Sequence, residues 1–439
     1  MSSKYLFIAL GVLTFLIVSC SDDDNPVTPV NDDSVAPANI TDLSVISRAA
    51  TNLTLSWTAP GDDGMIAEAD HYDIRYATTA ITDANWASAT QVSGEPEPTV
   101  GGAPQTFTVT GLTPNTTYYF AIMTADEVPN WSELSNIAGG TTYLAGNWTV
   151  YQTSNSDIPS DTVNDLAVEG YTGAYLATDA GLGYFDGVDW TVYDTSNSAI
   201  ISVNLTAVAA DEAGIKWIGS NSDGVSRFND VTFDSITVAN SDLTSNSINA
   251  VLTEGDNVWF ATSGGGLCMF DGADWTAYRM DNSDIYRNDV RSLAFDENGD
   301  LWIGFALGGV DRFDGADFVH YDADGALAGS GVTSIAAEGN IMWFGTEVGV
   351  FRYNGSSWTN YNATNSGLAH NLVLAAAVDG EDDKWFGTSA GLCRFDGSTW
   401  TTYDTDNCSL PNATVRSLLP DALGNLWIGT EGGFAVFNE

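Results

Sequence analysis

Two aromatic positions recur along residues 143–439 with a single period. One series is Trp148, Trp190, Phe233, Trp275, Phe318, Trp358 and Trp400; the other is Tyr175, Trp217, Trp259, Trp302, Trp343, Trp385 and Trp427. Neighbouring members stand 40 to 43 residues apart in both series. Two independent series with one spacing mean seven copies of one structural unit. Each unit reads as four short strands. In one copy an apolar strand Val290-Arg291-Ser292-Leu293-Ala294 meets a tight turn, Asp296-Glu297-Asn298-Gly299. A second strand, Leu301-Trp302-Ile303-Gly304, leads through a Gly-bearing loop to Gly309–Gly315. An aromatic-led strand such as Trp275-Thr276-Ala277-Tyr278 ends the unit. Four strands in about 40–45 residues, repeated, define a β-propeller blade. The Trp-Ile-Gly-Thr and Trp-Phe-Gly-Thr runs are apolar on both faces, as a sheet packed between neighbours requires. Their Gly lets another backbone or a large Trp approach closely. A lone blade would leave both faces wet, so the ring must close.

The order of strands predicts how it closes. Seven aromatic-led strands begin at residue 148, and seven three-strand segments run from Val163 to Phe437. The two sets are offset by one. The strand 147–151 precedes any blade, and the last segment has no outer strand after it. The sequence therefore predicts that 147–151 completes the seventh blade.

The recurring pattern also resembles a known repeat. Asn365-Ser366-Gly367-Leu368, Leu426-Trp427-Ile428-Gly429-Thr430 and Leu392-Cys393-Arg394-Phe395-Asp396-Gly397 are similar to the two-component regulator propeller repeat. The resemblance covers residues 143–439. It implies a periplasmic sensor ectodomain of the hybrid histidine kinase kind, many of which read carbohydrates. No spanning helix, kinase or receiver is expected after the seventh unit. Signalling within one polypeptide is thus not expected, and a binding role remains implied.

Residues 37–142 carry a different pattern. Leu53, Leu55 and Trp57 alternate on one strand; Tyr72, Ile74 and Tyr76 alternate on the next. Pro60-Gly61-Asp62-Asp63-Gly64 breaks the chain between them, and further strands start near Phe107 and Tyr118. Short strands with regular turns predict a β-sandwich. Trp57, Tyr72 and Leu112-Thr113-Pro114-Asn115-Thr116-Thr117-Tyr118 resemble the fibronectin type III pattern. That resemblance implies Trp57 in the inter-sheet core, Tyr118 in a tyrosine corner, and a spacer role. The fold class expected is all-β, a fibronectin type III sandwich followed by a seven-bladed propeller.

The N-terminus reads as an address. Lys4 precedes an apolar run from Tyr5 to Val18, shorter than the ~20 residues of a spanning helix. Residues 1–19 read as a secretory signal. Ile17-Val18-Ser19-Cys20 resembles the bacterial lipobox, which implies cleavage before Cys20 and a lipid on its thiol. Ser21-Asp22-Asp23-Asp24 resembles an outer-surface tag, so the bacterial outer membrane or cell surface is the expected location. Residues 20–36 form an acidic linker without periodicity.

Charge narrows the function. Thirteen Lys+Arg face 58 Asp+Glu, for a net charge of -45. Nucleic acid needs clustered cations, so it is excluded as a partner. An anionic lipid surface is disfavoured too, leaving the lipid anchor as the only membrane contact. Hydrolase, nucleotide-binding and EF-hand motifs do not occur. Cys268, Cys393 and Cys408 read as buried apolar residues and not as a disulfide framework or a zinc site. The Asp296–Gly299 run is a weak calcium candidate, though a plain turn fits it better; otherwise no cofactor or metal is expected. The recurrent Arg227, Arg312, Arg352 and Arg394 suggest structural ion pairs.

Loops that break the repeat carry the site expectation. Sister loops are Ser, Asn and Gly, but one holds Tyr286-Arg287 and another His370, while Glu347 and Glu431 replace Ser263 or Ser389. These five residues are the expected ligand-binding set, with Tyr286 stacking on a sugar ring and Arg287 bonding an acidic group. They share the face that rings the channel mouth. The expected function is an envelope-anchored, monomeric, non-enzymatic binding protein for an extracellular glycan or protein. The alternative is a polysaccharide lyase or glycosidase working at that mouth.

Overall fold

The structure is a computed structural model that describes residues 34–128, 130–169, 173–323 and 325–438. The signal segment, Cys20, the acidic tag and most of the linker lie outside the described residues.

Alternation in residues 37–142 produces two facing sheets. One holds Ser44–Arg48, Asn52–Thr58 and Pro104–Thr110; the other holds Thr90–Gln91, His71–Ala77, Thr117–Ala125 and Ala138–Thr141. Leu53, Leu55 and Trp57 are buried between them, with Trp57 edge-on to Tyr72 at 5.3 Å. The Tyr72 hydroxyl donates to Gln105 at 2.8 Å, which satisfies the one polar atom on that buried ring. Tyr118 closes the corner: its hydroxyl oxygen accepts the Thr113 N–H at 3.0 Å. Tyr143 N–H then bonds the Ala49 carbonyl of the sandwich, and Leu144 N–H bonds Asn407 of the propeller. The junction between the two units is thus held on both sides.

Residues 147–438 form seven antiparallel four-stranded sheets. Blades 1 to 6 start at the inner strands Val163–Glu169, Leu205–Ala210, Ile248–Glu254, Val290–Phe295, Val332–Glu338 and Val373–Val378. Blade 7 starts at Val415–Pro420 and takes its outer strand, Asn147–Tyr151, from the far end of the unit. That strand pairs with Gly433–Asn438 in the register Phe434↔Tyr151 and Phe437↔Trp148. Each inner strand touches the next, and Val415–Pro420 touches Val163–Glu169, so the circle is complete.

Three repeated devices explain why the sheets stack. First, the Gly of the second strand admits a β-branched residue of the following blade. A Cβ on Gly219 would stand 2.6 Å from Ile248, and one on Gly387 would stand 2.6 Å from Val415. The close neighbour is therefore chiefly Val or Ile, not a Trp. Second, the Asp opening the first turn clamps the blade's Trp. Asp211, Asp296, Asp379 and Asp421 accept the indole N–H of Trp217, Trp302, Trp385 and Trp427 at 3.0, 3.0, 2.7 and 2.8 Å. The other oxygen of Asp296 accepts the N–H groups of Asn298 and Asp300. Third, six outer strands end in Tyr, which wedges against two aromatics of the next blade, as Tyr193 does against Phe228 at 5.0 Å and Phe233 at 5.5 Å.

The repeated arginines decorate this frame. Arg312 bonds Asp300 at 2.7 Å and Arg394 bonds Asp383 at 2.7 Å, while Arg352 lies 5.6 Å from the Trp343 ring. Cys268, Cys393 and Cys408 are buried thiols. Burial pushes Cys393 up to about 11 and Cys408 up to about 12, so neither is a ready nucleophile.

Candidate functional site: the channel mouth

Every inner strand of the propeller carries a β-bulge at the same place. The pairing shifts between Leu205 and Ala207, Ile248 and Ala250, Val290 and Ser292, Val332 and Ser334, Val373 and Ala375, and Val415 and Ser417. In blade 1 it skips Asn164. A bulge leaves one residue out of the ladder and re-aims its side chain. The seven released residues are Asn164, Thr206, Asn249, Arg291, Thr333, Leu374 and Arg416, and all seven line one cavity of about 430 Å³. Asn204 and Asn221 complete its wall.

Most of this ring is tied blade to blade. Asn164, Thr206, Asn249 and Thr333 donate to carbonyls of the next blade at Leu205, Ile248, Val290 and Val373, with distances of 2.8, 2.6, 2.6 and 2.5 Å. The arginines behave differently. Arg291 reaches Glu347 at 3.0 Å, and Arg416 bonds Glu431. These side chains are 35% to 45% exposed, so water weakens both pairs and an incoming polar group can replace either carboxylate. Two of thirteen basic residues of a strongly acidic chain therefore stand at the mouth. Leu374 interrupts the ring between blades 6 and 7.

Asp165 follows Asn164 where sister blades have Ala207, Ala250, Ser292, Ser334, Ala375 and Ser417. Its carboxylate accepts the Val208 N–H at 2.9 Å and the Ser417 hydroxyl at 3.2 Å. Burial in the channel wall pushes its pKa up to about 6 despite those donors.

The structure places the five expected residues as follows. Glu347 and Glu431 are at the mouth, each held by an arginine. Tyr286, in the loop entering blade 4, is 41% exposed, but His320 stacks on its ring at 3.7 Å. The Arg287 guanidinium lies 5.1 Å from the same ring. Asp311 fixes this cluster: it accepts the Tyr286 N–H at 2.8 Å and bonds His320 Nδ1 at 2.7 Å. Burial raises the Asp311 carboxyl, opposed by those hydrogen bonds. Arg287 and Arg291 flank one loop. A Cβ on Gly308 would meet Arg287 at 2.9 Å; one on Gly331 would meet both Ala306 and Arg291 at 2.7 Å. His370 enters blade 6, two blades away. Its Nδ1 accepts the Leu372 N–H at 3.0 Å and faces the Ser389 hydroxyl at 2.8 Å, so that nitrogen braces its own loop. Arg291 and Arg416 were missed by loop-based reasoning because they sit inside strands. Their signal was a polar residue directly after the first apolar residue in six of the seven inner strands.

Among the described residues no group of three or more His, Cys, Asp or Glu is arranged to hold a metal ion, and no helix is long and apolar enough to cross a membrane.

An all-β chain, in which a sandwich leads into a ring of seven four-stranded sheets with a polar mouth, is the class that fold and site define. Residues 37–137 match the family model of the fibronectin type III domain, and residues 409–432 match that of the two component regulator propeller. No curated relative matches the sequence. Among solved structures, the extracellular domain of a hybrid two component system from B. thetaiotaomicron is similar, with a TM-score of 0.57 at 17% identity. The match covers 88% of this chain and 55% of that one. A second such extracellular domain from B. thetaiotaomicron has a TM-score of 0.51 at 18% identity, covering 66% of this chain and 39% of that one. Virginiamycin B lyase from Staphylococcus aureus has a TM-score of 0.54 at 14% identity, covering 67% of this chain and 100% of that one. At such identities the likeness is one of fold. The chain spans about half the length of the first of these proteins and less of the second.

Proposed function

We propose that this chain is an extracytoplasmic, envelope-anchored binding protein of the sensor kind, whose propeller mouth grips an extracellular glycan. The fibronectin type III domain acts as the spacer between anchor and propeller. One observation carries the reading: seven bulges aim seven side chains into one mouth, and two of them are arginines paired with exposed glutamates. Hydroxyls or a carboxylate of a glycan can take the guanidinium forks in place of Glu347 and Glu431. Similarity in fold to extracellular domains of two component systems supports the same reading. A glycan array with the full chain, followed by titration of the best glycan, tests it. Arg291→Ala and Arg416→Ala should each weaken binding at least tenfold. If both variants bind like wild type, the ligand sits elsewhere.

A second reading has one observation in its favour. His320, oriented by Asp311 and stacked on Tyr286 beside Arg287, is a His–carboxylate pair of the kind that moves protons. Were the pure protein to cut a polysaccharide, with His320→Gln abolishing cleavage, an enzyme would replace the binding protein.

A further inference from the structure

We propose that the outer rim between blades 2 and 3 is a second binding site, shaped for a ring of a neutral saccharide. It shares no residue with the mouth. The argument starts from one break in the repeat. Outer strands end in Tyr151, Tyr193, Tyr278, Tyr321, Tyr361 and Tyr403, but blade 2 ends in Ile236. Each Tyr covers two aromatics of the next blade; for example, Tyr278 lies 5.1 Å from Phe313 and 5.6 Å from Phe318. At the one junction without it, Ile236 packs near Phe270 and Trp275, and no ring of the preceding outer strand covers them. Phe270 is only half-buried, whereas Phe185, Phe228, Phe313, Phe395 and Phe437 at that position are 2% to 8% exposed. The missing ring leaves a cavity of about 650 Å³ lined by Trp217, Phe270 and Trp275, within the ~300–1,000 Å³ range of ligand sites. The short turn at Gly255-Asp256 borders it.

The lining selects the ligand class. Aromatic faces suit the C–H face of a sugar ring. Asp234 and Asp256 are exposed acceptors at the rim. Arg227 is the donor: it lies 5.6 Å from the Trp217 ring and 3.6 Å from Asp234, and its Nε–H has no hydrogen-bond partner among the described residues. Donors and acceptors side by side above an aromatic floor fit hydroxyl groups. Acidic sugars are opposed by the excess of carboxylates, with Asp211 and Asp271 adding to it. A cationic ligand would not find the Trp217 face free, because the Arg227 guanidinium already lies 5.6 Å from that ring.

The test titrates the full chain with neutral hexasaccharides of glucose, mannose, xylose and galactose, with hexagalacturonate and hexalysine as charged probes. At least one neutral hexasaccharide should bind. Ile236→Tyr, which restores the wedge, and Trp275→Ala should each weaken that binding at least tenfold. Ile236→Tyr should also melt no lower than wild type, because it fills a void. Arg291→Ala and Arg416→Ala should leave it intact, so failure of the mouth site and of this site are told apart. The proposal is overturned if no neutral hexasaccharide binds, if Ile236→Tyr binds like wild type, or if hexalysine is the probe it loses.

Discussion

At the scale of single residues, this protein places a carboxylate where its repeat carries a small Ala or Ser. Asp165 is the sharpest case. Its folded pKa of about 6 stands above the ordinary 3.8, so the folded chain holds a proton that the unfolded chain releases between those values. The group therefore subtracts stability as pH rises through that window, and subtracts nothing below it. Asp165→Asn should stabilise the fold at pH 7.5 by at most about 3 kcal/mol, and the gain should vanish near pH 3.5. Urea unfolding of both proteins at the two pH values checks this. Such a residue is legible in the sequence only as a mismatch with Ala and Ser in sister blades. Its consequence needed the partners Val208 and Ser417, which lie in other blades. Tyr286 shows the opposite limit: its departure from the repeat was plain, but the His320 ring that stacks on it belongs to a strand 34 residues on.

At the scale of elements, the turn between the first two strands is a unit of stability. Its Asp satisfies backbone donors and the buried indole together. Asp421→Ala should cost about 1–3 kcal/mol, because Trp427 Nε1 loses its 2.8 Å acceptor in a buried site. Trp259 in blade 3 already lives without such an acceptor. Chemical denaturation measures the difference, and an unchanged midpoint would mean that water replaces the carboxylate. The four-strand blade itself was readable because most copies solve one packing problem with the same Trp, Gly and Tyr. The mouth was not readable as a site. A β-bulge is a backbone event, and Val-Arg-Ser-Leu taken alone does not announce that Arg291 leaves the ladder; only the comparison of inner strands carries a signal. The cleft at Ile236 lies between these cases: the substitution is visible in the sequence, while the rings it uncovers belong to the next blade.

At the scale of the whole molecule, closure and anchoring make separate predictions. Deleting residues 143–151 removes the outer strand of blade 7 and bares the donors and acceptors of Gly433–Asn438. A melting temperature lower by several degrees, with aggregation visible in light scattering, is the expected outcome. Anchoring is tested by Cys20→Ala, which should move the protein from the membrane fraction to the soluble one. Retention in the pellet would dismiss the lipid. The offset of strands was legible because it is a matter of order along the chain and needs no side-chain detail.

The borrowed strand also sets a clock. Gln152 donates to Gly432 across 280 residues of sequence, and the pairing of Asn147–Tyr151 waits on that same distance. At about 5–20 residues per second, synthesis delivers the partner strand roughly 15 to 55 s after the first one emerges. For that interval Asn147–Tyr151 is a strand with an open edge on a ring not yet closed. It is then free to pair with any other nascent chain that offers a complementary edge. The feature that gives the finished ring its lock is thus the one that leaves the growing chain most in need of isolation, and dilute, slow expression should yield more closed rings than crowded, fast expression.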